Sequence, residues 1–341
     1  MRKVTLGRTG LEVSEAGFGG IPITRLSVEE AVDLVRHCLN RGITLCDTAR
    51  VYGDSEIKIG QALEPVRDQV VLATKTVARD AEHAAGDVDT SLANLRTSRI
   101  DLYQLHQVGN EETLEKVLGP GGAYEALDRA RRDGKIEFIG FSSHNIPTAI
   151  KACRTGLFAT VQFPFNFVET EAADELFRVA REQDMGIIGM KPFGGGLLGR
   201  ADLCFRFLQQ YPHVVPIPGI QAKEEVDEIV ELYGSPRPPT ESEWAEIRRI
   251  RSELGAKFCH RCEYCMPCEK GVNIPGALIF RSQPKRFPPA MAIAFATPNM
   301  KSVEKCEECW ECASKCPYDL PIPELLKETL SLYKEFVKKH T

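Results

Sequence analysis

Segments typical of strands and segments typical of helices alternate along residues 1–235 of this 341-residue chain, and no other feature constrains the fold as strongly. Eight short apolar segments predict strands: EAGFGG, ITLC, VVLAT, IDLYQLH, IEFIGFS, ATVQFPF, GIIGMKP and VVPIPG. Segments with apolar residues at helical spacing lie between them, including SVEEAVDLVRHCLNRG, AYEALDRARRDGK and AKEEVDEIVELYG. Strict alternation produces parallel strands with right-handed crossovers, so the sequence predicts the α/β class and a closed (β/α)8 TIM barrel.

An open doubly wound sheet is the structural alternative. Its dinucleotide fingerprint, G-x-G-x-x-G after an early strand, is absent from the sequence. A proline-rich stretch, YGSPRPP, then marks a change in composition. We predict a barrel domain over residues 1–235, a connecting helix over 236–256 and a small, mostly helical domain over 257–341.

The charge balance limits the kinds of partner. The chain has 43 Lys and Arg against 48 Asp and Glu, for a formal net charge of -5, which indicates no surface for nucleic acid. No run of eighteen apolar residues occurs, and the N-terminus lacks the apolar segment of a signal peptide. We therefore expect a cytoplasmic protein with small-molecule and protein partners and no membrane association.

Eight of the twelve cysteines lie in two runs near the C-terminal end. The second run, CEECWECASKCP, has the spacing C-x2-C-x2-C-x3-C-P, which places three thiolates on one iron–sulfur cluster and the fourth on another. The first run, CHRCEYCMPC, supplies the second set, and the two runs suggest a duplicated half-domain. Structural zinc is the alternative, but one zinc needs only four ligands. We predict two [4Fe–4S] clusters held by Cys259, Cys262, Cys265, Cys268, Cys306, Cys309, Cys312 and Cys316.

The other four cysteines are isolated in apolar segments. They are Cys38, Cys46, Cys153 and Cys204. Because a free cysteine behaves as a small apolar residue, we expect each of them to be buried and unligated.

Polar residues end three neighbouring predicted strands, and in a (β/α)8 barrel such residues meet at one rim. CDTARVYG, LATKT and YQLHQ place Asp47 with Tyr52, Lys75 and His106 there. Each alone has a structural explanation, such as a helix cap or a hydrogen-bonded core histidine. Together they suit proton transfer, because an ammonium beside a tyrosine stabilises its phenolate and a carboxylate holds that ammonium.

The segments RTGLEVSEAGFGG, DTARVYGDSE, LATKT, DLYQLH and GKIEFIGFSSHN resemble the aldo-keto reductase family over most of residues 1–235. This resemblance implies a nicotinamide-dependent carbonyl reductase. It implies that Tyr52 is the general acid, that Lys75 lowers its pKa, that Asp47 pairs with Lys75, and that His106 orients the carbonyl. The chain is similar to the subgroup with an appended 4Fe–4S dicluster domain.

The resemblance also implies a cofactor site. Ser142 and Gln162 match the positions that hold the nicotinamide carboxamide, and Met190 stands where an aromatic residue commonly stacks on the ring. The full set is Ser142, Gln162, Met190, Lys191, Gly194 and Gly219. Where many relatives have basic residues for a 2′-phosphate, this chain offers Lys223 but also Glu225, so we favour NADH over NADPH.

The C-terminal part resembles a bacterial-type dicluster ferredoxin. This resemblance implies that Cys259, Cys262, Cys265 and Cys316 hold one cluster, and that Cys306, Cys309, Cys312 and Cys268 hold the other. The first run departs from the pattern, since two residues rather than three precede Cys268 and Glu269 replaces the proline.

Three functions are compatible with these features. The first is an oxidoreductase that couples a carbonyl or alcohol substrate to electron transfer through the clusters, with a ferredoxin or another redox protein as partner. The second is an ordinary NAD(P)H reductase with structural clusters. The third is a non-catalytic electron-transfer or sensing module, against which the intact polar quartet weighs.

Overall fold

The structure is a computed structural model that describes residues 1–255 and 257–340. It contains two compact units. The first comprises Met1–Gly194 and Leu198–Pro239, and the second comprises Gly195–Leu197 and the chain from Thr240 onward. No helix in the described part of the chain is both long enough and apolar enough to cross a membrane.

The first unit is built on ten strands in its described residues. A two-stranded antiparallel hairpin pairs β1 (Lys3–Thr5) with β2 (Glu12–Ser14). Eight parallel strands follow in chain order. They are β3 (Phe18–Gly19), β4 (Leu45–Asp47), β5 (Val71–Thr76), β6 (Ile100–Leu105), β7 (Ile136–Ser142), β8 (Thr160–Pro164), β9 (Gly186–Met190) and β10 (Val214–Ile217).

Strands β3 and β10 close the barrel through backbone contacts between glycine-rich segments. Gly19 forms a parallel bridge with Gly219, and its amide donates to the carbonyl of Pro218 at 2.7 Å. A Cβ added to Gly19 would lie 2.9 Å from the carbonyl oxygens of Ile217 and Pro218, so only glycine permits this approach. The predicted α/β barrel is confirmed.

Helices alternate with these strands. The α-helices are α1 (Val28–Asn40), α2 (Ser55–Leu63), α3 (Ala81–Asn94), α4 (Glu111–Leu118), α5 (Ala123–Arg132), α6 (Ile146–Arg154), α7 (Leu176–Glu182), α8 (Ala201–Leu208) and α9 (Lys223–Gly234). Short 3₁₀ turns cover Pro22–Arg25, Glu64–Gln69 and Glu171–Ala173. Helix α1 begins with a capping box, in which the Glu30 amide donates to Ser27 Oγ and the Ser27 amide donates to Glu30 Oε2.

The hairpin lies at the N-terminal end of the barrel. Gly7 bridges Met185, which immediately precedes β9, and Leu6 packs with Val13, Leu45 and other barrel-core residues. No pattern in the sequence predicted this hairpin. Its strands have three residues each, and this is too short to show the alternation of apolar and polar residues that identifies a strand.

The second unit is mostly helical, as predicted. Its α-helices are α10 (Glu241–Gly255), α11 (Ile274–Leu278), α12 (Gln283–Arg286), α13 (Pro289–Val303), α14 (Glu311–Ser314) and α15 (Ile322–His340), with a 3₁₀ turn at Ile279–Arg281. Buried side chains from α11, α13 and α15 form its core, including Ile274, Met300 and Ile322. A small core of this kind needs additional support, which metal ligation commonly provides.

The two cysteine runs have matching backbone conformations. Residues at corresponding positions adopt left-handed φ angles in pairs: Arg261 (60°) with Glu308 (56°), Glu263 (66°) with Trp310 (63°), and Gly271 (71°) with Asp319 (49°). The Gly271 amide donates to the Cys268 carbonyl, as the Asp319 amide donates to that of Cys316. An Ile-Pro pair then begins both α11 and α15. The conformations therefore repeat, as a duplicated half-domain predicts.

Two glycines in neighbouring helices allow a test of the packing between α2 and α3. A Cβ on Gly60 would lie 2.3 Å from the Asn94 carbonyl oxygen, whereas a Cβ on Gly86 would have no heavy atom within 4 Å. We expect Gly60→Ala to destabilise the protein by about 1–3 kcal/mol through overpacking. Gly86→Ala should stabilise it by about 0.5–1 kcal/mol, because alanine favours helix. Urea unfolding followed by circular dichroism measures both, and a Gly60→Ala variant as stable as Gly86→Ala would contradict the described packing.

Candidate active site and cysteine centre

A buried ion pair lies at the carboxyl ends of β4 and β5. Lys75 is fully buried, and its Nζ donates to Asp47 Oδ2 at 2.6 Å and to the Thr48 carbonyl at 2.7 Å. Asp47, the last residue of β4, is only 2% exposed. A buried ammonium is costly unless it is paired and hydrogen-bonded, and here both conditions are met.

Burial and pairing act on these two groups in opposite directions. Burial raises the pKa of Asp47, and the charge of Lys75 opposes that rise. Burial lowers the pKa of Lys75, and Asp47 opposes that fall. Gln104 Nε2 donates to Asp47 Oδ1 at 3.3 Å, and Gln162 is a further hydrogen-bond partner of the same carboxylate. The pairing and these hydrogen bonds favour the charged forms against burial.

Tyr52 and His106 complete the quartet that the sequence singles out. Tyr52 lies in the turn between β4 and α2, with Lys75 Nζ 5.5 Å from its ring centroid. His106 follows β6, and its ring meets that of Tyr52 edge-on with centroids 5.7 Å apart. The structure therefore brings Asp47, Tyr52, Lys75 and His106 together at one rim.

A buried carboxylate holds the segment that carries Tyr52. Glu56, in the first turn of α2, is 1% exposed and accepts four hydrogen bonds. The donors are Arg50 Nη1 at 2.6 Å, Thr74 Oγ1 and Ser91 Oγ at 2.8 Å, and Asn94 Nδ2 at 3.1 Å. These bonds join the Tyr52 turn to β5 and α3. No local pattern indicates them, because three of the four donors lie 18 to 38 residues from Glu56 along the chain.

Ser142 and Gln162 pair directly across β7 and β8. Ser142 Oγ accepts the Gln107 amide at 2.9 Å, and no described residue accepts the proton of this hydroxyl. Gln162 Oε1 is buried without a hydrogen-bond partner in the described chain. Neighbouring strands thus present one hydroxyl donor and one amide acceptor, which are the two groups that a carboxamide requires.

The remaining predicted cofactor residues lie after β9 and β10. Met190 ends β9 and is buried, and Lys191 follows it with a left-handed φ of 59°. The Lys191 carbonyl accepts Asn166 Nδ2 at 3.1 Å, and its ammonium contacts His144 Nε2. Gly194 also has a positive φ, at 55°. Gly219 takes part in barrel closure with Gly19.

In the second unit the thiols of the two runs are interleaved. Beyond the effect of burial, the charges of Cys262 and Cys316 raise the pKa of Cys259, and the charge of Cys316 raises that of Cys262. These thiols therefore lie close together. Cys306 and Cys309 likewise raise the pKa of Cys312 beyond the effect of its burial. A cavity brings five thiols together: Cys265, Cys268, Cys306, Cys309 and Cys312. Cys268 thus lies with the second run, as the implied exchange of the fourth ligand requires, but Cys265, which the resemblance assigns to the other set, lines the same cavity.

Metal binding by these thiols requires the loss of their protons. Burial raises the pKa of Cys259 to about 11 and that of Cys265 to about 12, so a bound metal must displace their protons. No three His, Cys, Asp or Glu side chains in residues 1–255 and 257–340 converge as ligands of a single metal ion would. The [4Fe–4S] cluster that the cysteine spacing predicts takes one thiolate at each of four irons.

The four isolated cysteines are buried, as predicted. Cys38, Cys46, Cys153 and Cys204 are all 0% exposed and form no disulfide. Burial raises the pKa of both Cys46 and Cys153 to about 12. These thiols are therefore unreactive core residues.

The geometry defines a (β/α)8 barrel with a polar quartet at the carboxyl ends of its strands, and sequence comparison identifies its family. Residues 15–203, more than half of the chain, match the model of the Aldo/keto reductase family, and residues 258–321 match that of a 4Fe-4S dicluster domain. The chain belongs to the aldo/keto reductase family. "Probable aldo-keto reductase 1" from Glycine max is 28% identical over 218 residues, which are 58% of this chain and 61% of that relative's length.

Solved structures of the family share the barrel. The holo form of an aldo-keto reductase from Bacillus halodurans superposes with a TM-score of 0.64 at 22% identity, covering 73% of this chain and 96% of that one. An aldo/keto reductase from Klebsiella pneumoniae, in complex with NADP and acetate, gives a TM-score of 0.61 at 22% identity, covering 74% and 96%. At these identities the similarity shows the fold alone.

The alternation of side chains along β6 indicates one site residue, Gln104, that was not among the predicted ones. Gln104 and His106 stand two residues apart at the end of β6, so their side chains share a face. Asp47 lies in β4 and accepts a hydrogen bond from Gln104 across β5. The alternation in DLYQLH could therefore have identified Gln104 as an inward-facing partner of the quartet.

Serine substitutions test the ligand sets in the second unit. Cys262→Ser and Cys309→Ser alter one thiol in each proposed set, and each should remove about one cluster's iron because thiolate is the preferred ligand. Cys204→Ser, which alters a buried thiol of the barrel, is the control and should retain full iron. Iron and sulfide analysis after anaerobic purification measures the loss. Stoichiometric zinc without iron would contradict the cluster assignment.

Proposed function

We propose that this chain is an oxidoreductase that reduces a carbonyl, or oxidises an alcohol, with a nicotinamide nucleotide and couples the reaction to two [4Fe–4S] clusters. We assign the first activity to the barrel, residues 1–235, and the clusters to residues 257–341, joined through residues 236–256. One observation carries the barrel assignment: the proton-transfer quartet and an unsatisfied donor–acceptor pair, Ser142 and Gln162, share one rim.

In this proposal Tyr52 transfers the proton. Its hydroxyl donates to the developing alkoxide during carbonyl reduction and takes the proton back from the alcohol in the reverse direction. The Lys75 ammonium, 5.5 Å from the Tyr52 ring centroid, favours the phenolate, and Asp47 keeps that ammonium charged despite its burial. His106, edge-on to the Tyr52 ring, orients the carbonyl oxygen toward the same hydroxyl.

The nicotinamide would supply or accept the hydride when bound. Ser142 would donate its hydroxyl proton to the carboxamide oxygen, and Gln162 Oε1 would accept from the carboxamide nitrogen. Met190 and Lys191 would contact the cofactor beyond these two residues, and Gly194 would let the backbone approach it closely. The Ser142 and Gln162 assignments use a hydroxyl proton and an amide oxygen that have no partner among the described residues, which is the expected state of a preformed ligand site.

We favour NADH over NADPH as the nucleotide. Lys223 Nζ pairs with Asp33 Oδ2 at 2.5 Å on the exposed surface, so a 2′-phosphate would compete with a carboxylate for the basic residue predicted to bind it. Glu225 accepts the amides of Gln221 at 2.8 Å and Ala222 at 3.2 Å, where its charge would repel a phosphate. The Klebsiella pneumoniae aldo/keto reductase was solved in complex with NADP, but at 22% identity this similarity shows the fold and does not decide between the nucleotides.

The clusters would store the electrons, with one thiolate set formed by Cys259, Cys262, Cys265 and Cys316 and the other by Cys306, Cys309, Cys312 and Cys268. The proximity of Cys316 to Cys259 and Cys262 supports this arrangement. A ferredoxin or another redox protein would then exchange electrons with the clusters. Small carbonyl or alcohol compounds are the proposed substrates.

Tyr52→Phe tests the barrel chemistry. Removing the hydroxyl should lower turnover of carbonyl substrates by about 10²- to 10⁴-fold, the usual contribution of a general acid, while nucleotide affinity stays close to that of the unmodified protein. Tyr124→Phe is a matched control, because the Tyr124 hydroxyl donates to the Leu157 carbonyl on the exposed barrel surface. Steady-state kinetics and nucleotide titration measure the effect. Undiminished turnover in Tyr52→Phe would refute the assigned role.

Cluster reoxidation tests the coupling. After anaerobic reduction with dithionite and removal of the excess, we expect the cluster absorbance to return when NAD⁺, or NAD⁺ together with a carbonyl compound, is added. NADP⁺ in a parallel sample tests the nucleotide preference. Clusters that stay reduced under every addition would favour a structural role, with an ordinary reductase in the barrel.

A further inference from the structure

Arg79 makes an unusual contact with the rim of the barrel. It lies in the loop between β5 and α3, and one nitrogen, Nη2, donates to the His106 carbonyl at 2.8 Å and to the Gln107 carbonyl at 3.0 Å. These are the first two residues after β6. A single guanidinium nitrogen thus holds two consecutive carbonyls where the strand ends.

The second of those residues has an uncommon conformation. Gln107 has a left-handed φ of 57°, which few residues other than glycine adopt without support from their surroundings. In this conformation its amide donates to Ser142 Oγ at 2.9 Å, and the next amide, that of Val108, donates to the Ser142 carbonyl at 2.8 Å. The Arg79 bonds therefore support the backbone that contacts Ser142.

The contact with Gln107 affects how Ser142 bonds. Because Ser142 Oγ accepts the Gln107 amide, its own proton is directed toward another acceptor, and no described residue provides one. Loss of the left-handed turn would free the hydroxyl to rotate. The proton of Ser142 would then no longer have a preferred direction.

Ion pairing does not account for the position of the Arg79 guanidinium. Within the described chain no carboxylate pairs with it, its Nη1 is buried without a hydrogen-bond partner, and burial lowers the pKa of the guanidinium. Arg67 provides a comparison at the opposite ends of β5 and β6. Its guanidinium donates to the carbonyls of Val70 at 2.9 Å and Arg99 at 2.8 Å, and also pairs with Asp101 at 2.7 Å. The specific contribution of Arg79 is its pair of bonds to the rim.

We propose that Arg79 is a positioning residue that joins the carbonyl-orienting side of the site, at His106, to the carboxamide-binding side, at Ser142. One guanidinium fixes both the backbone that carries the histidine and the turn that sets the direction of the serine proton. The inference rests on the function proposed for the barrel, since it assigns the two sides their ligands.

Arg79→Met should weaken the nicotinamide contact selectively. We expect its affinity for NADH to fall about tenfold or more, as loss of a charged hydrogen bond would produce, while affinity for ADP-ribose, which lacks nicotinamide, stays unchanged. Ser142→Ala should also weaken NADH binding and leave ADP-ribose binding unchanged. A variant with both Arg79→Met and Ser142→Ala should bind NADH no more weakly than either single variant does. Calorimetric titration measures all of these affinities. In Arg67→Met, the matched control, the two ligands should bind as they do in the unmodified protein.

Hydrogen exchange separates this inference from the proposed function. Arg79→Met should accelerate exchange of the Gln107 and Val108 amides by at least about tenfold, and Arg67→Met should leave them unchanged. If the unmodified protein reduces no carbonyl but Arg79→Met shows this faster exchange, the proposed function fails and the positioning role stands. Unchanged exchange at Gln107, or equal losses of NADH and ADP-ribose affinity in Arg79→Met, would overturn the positioning role.

Discussion

The buried ammonium of Lys75 is the constraint on which the rest of the site depends. An unpaired charge at this depth would cost several kcal/mol, so the fold must hold a carboxylate against it. Strand register supplies that carboxylate: Asp47 pairs with Ala73 across β4 and β5, and Lys75 lies two residues beyond Ala73 on the same face. A slip of one residue would turn the lysine away from the aspartate. The conditions that stabilise the barrel therefore also place the ammonium beside Tyr52.

The barrel could be predicted because parallel strands buried on both faces are nearly continuous apolar runs. The predicted segment IEFIGFS coincides with β7 at Ile136–Ser142, and the other segments differ from their strands mainly at the ends. The first strand is the weakest prediction, since EAGFGG contains only two residues of β3, Phe18 and Gly19, followed by glycine-mediated closure. Closure depends on contacts between the first and last strands of the barrel, at Gly19 and Gly219, which no local pattern encodes.

The site was predictable where a rule about strand ends applies and unpredictable where side chains meet over long separations. Asp47, Lys75 and His106 follow from the positions of their strands. The hydrogen bonds that Ser91 donates to Glu56 and Arg79 donates to Gln107 join residues 35 and 28 positions apart, and nothing in either local sequence indicates the partner. Arg79 in particular occupies a loop that reads as solvent-exposed. Its contribution is visible only once the carbonyls after β6 are located.

The repeated conformations of the second unit show how the first cysteine run can depart from the ferredoxin spacing while the residues after it keep the same backbone conformation as those after the second run. One residue fewer separates Cys265 from Cys268 than separates Cys312 from Cys316, yet both segments reach a left-handed residue three positions later, Gly271 or Asp319. From there the two halves regain the same order of buried residues and begin a helix at Ile-Pro. The shortened spacing is thus confined to the segment between two ligands.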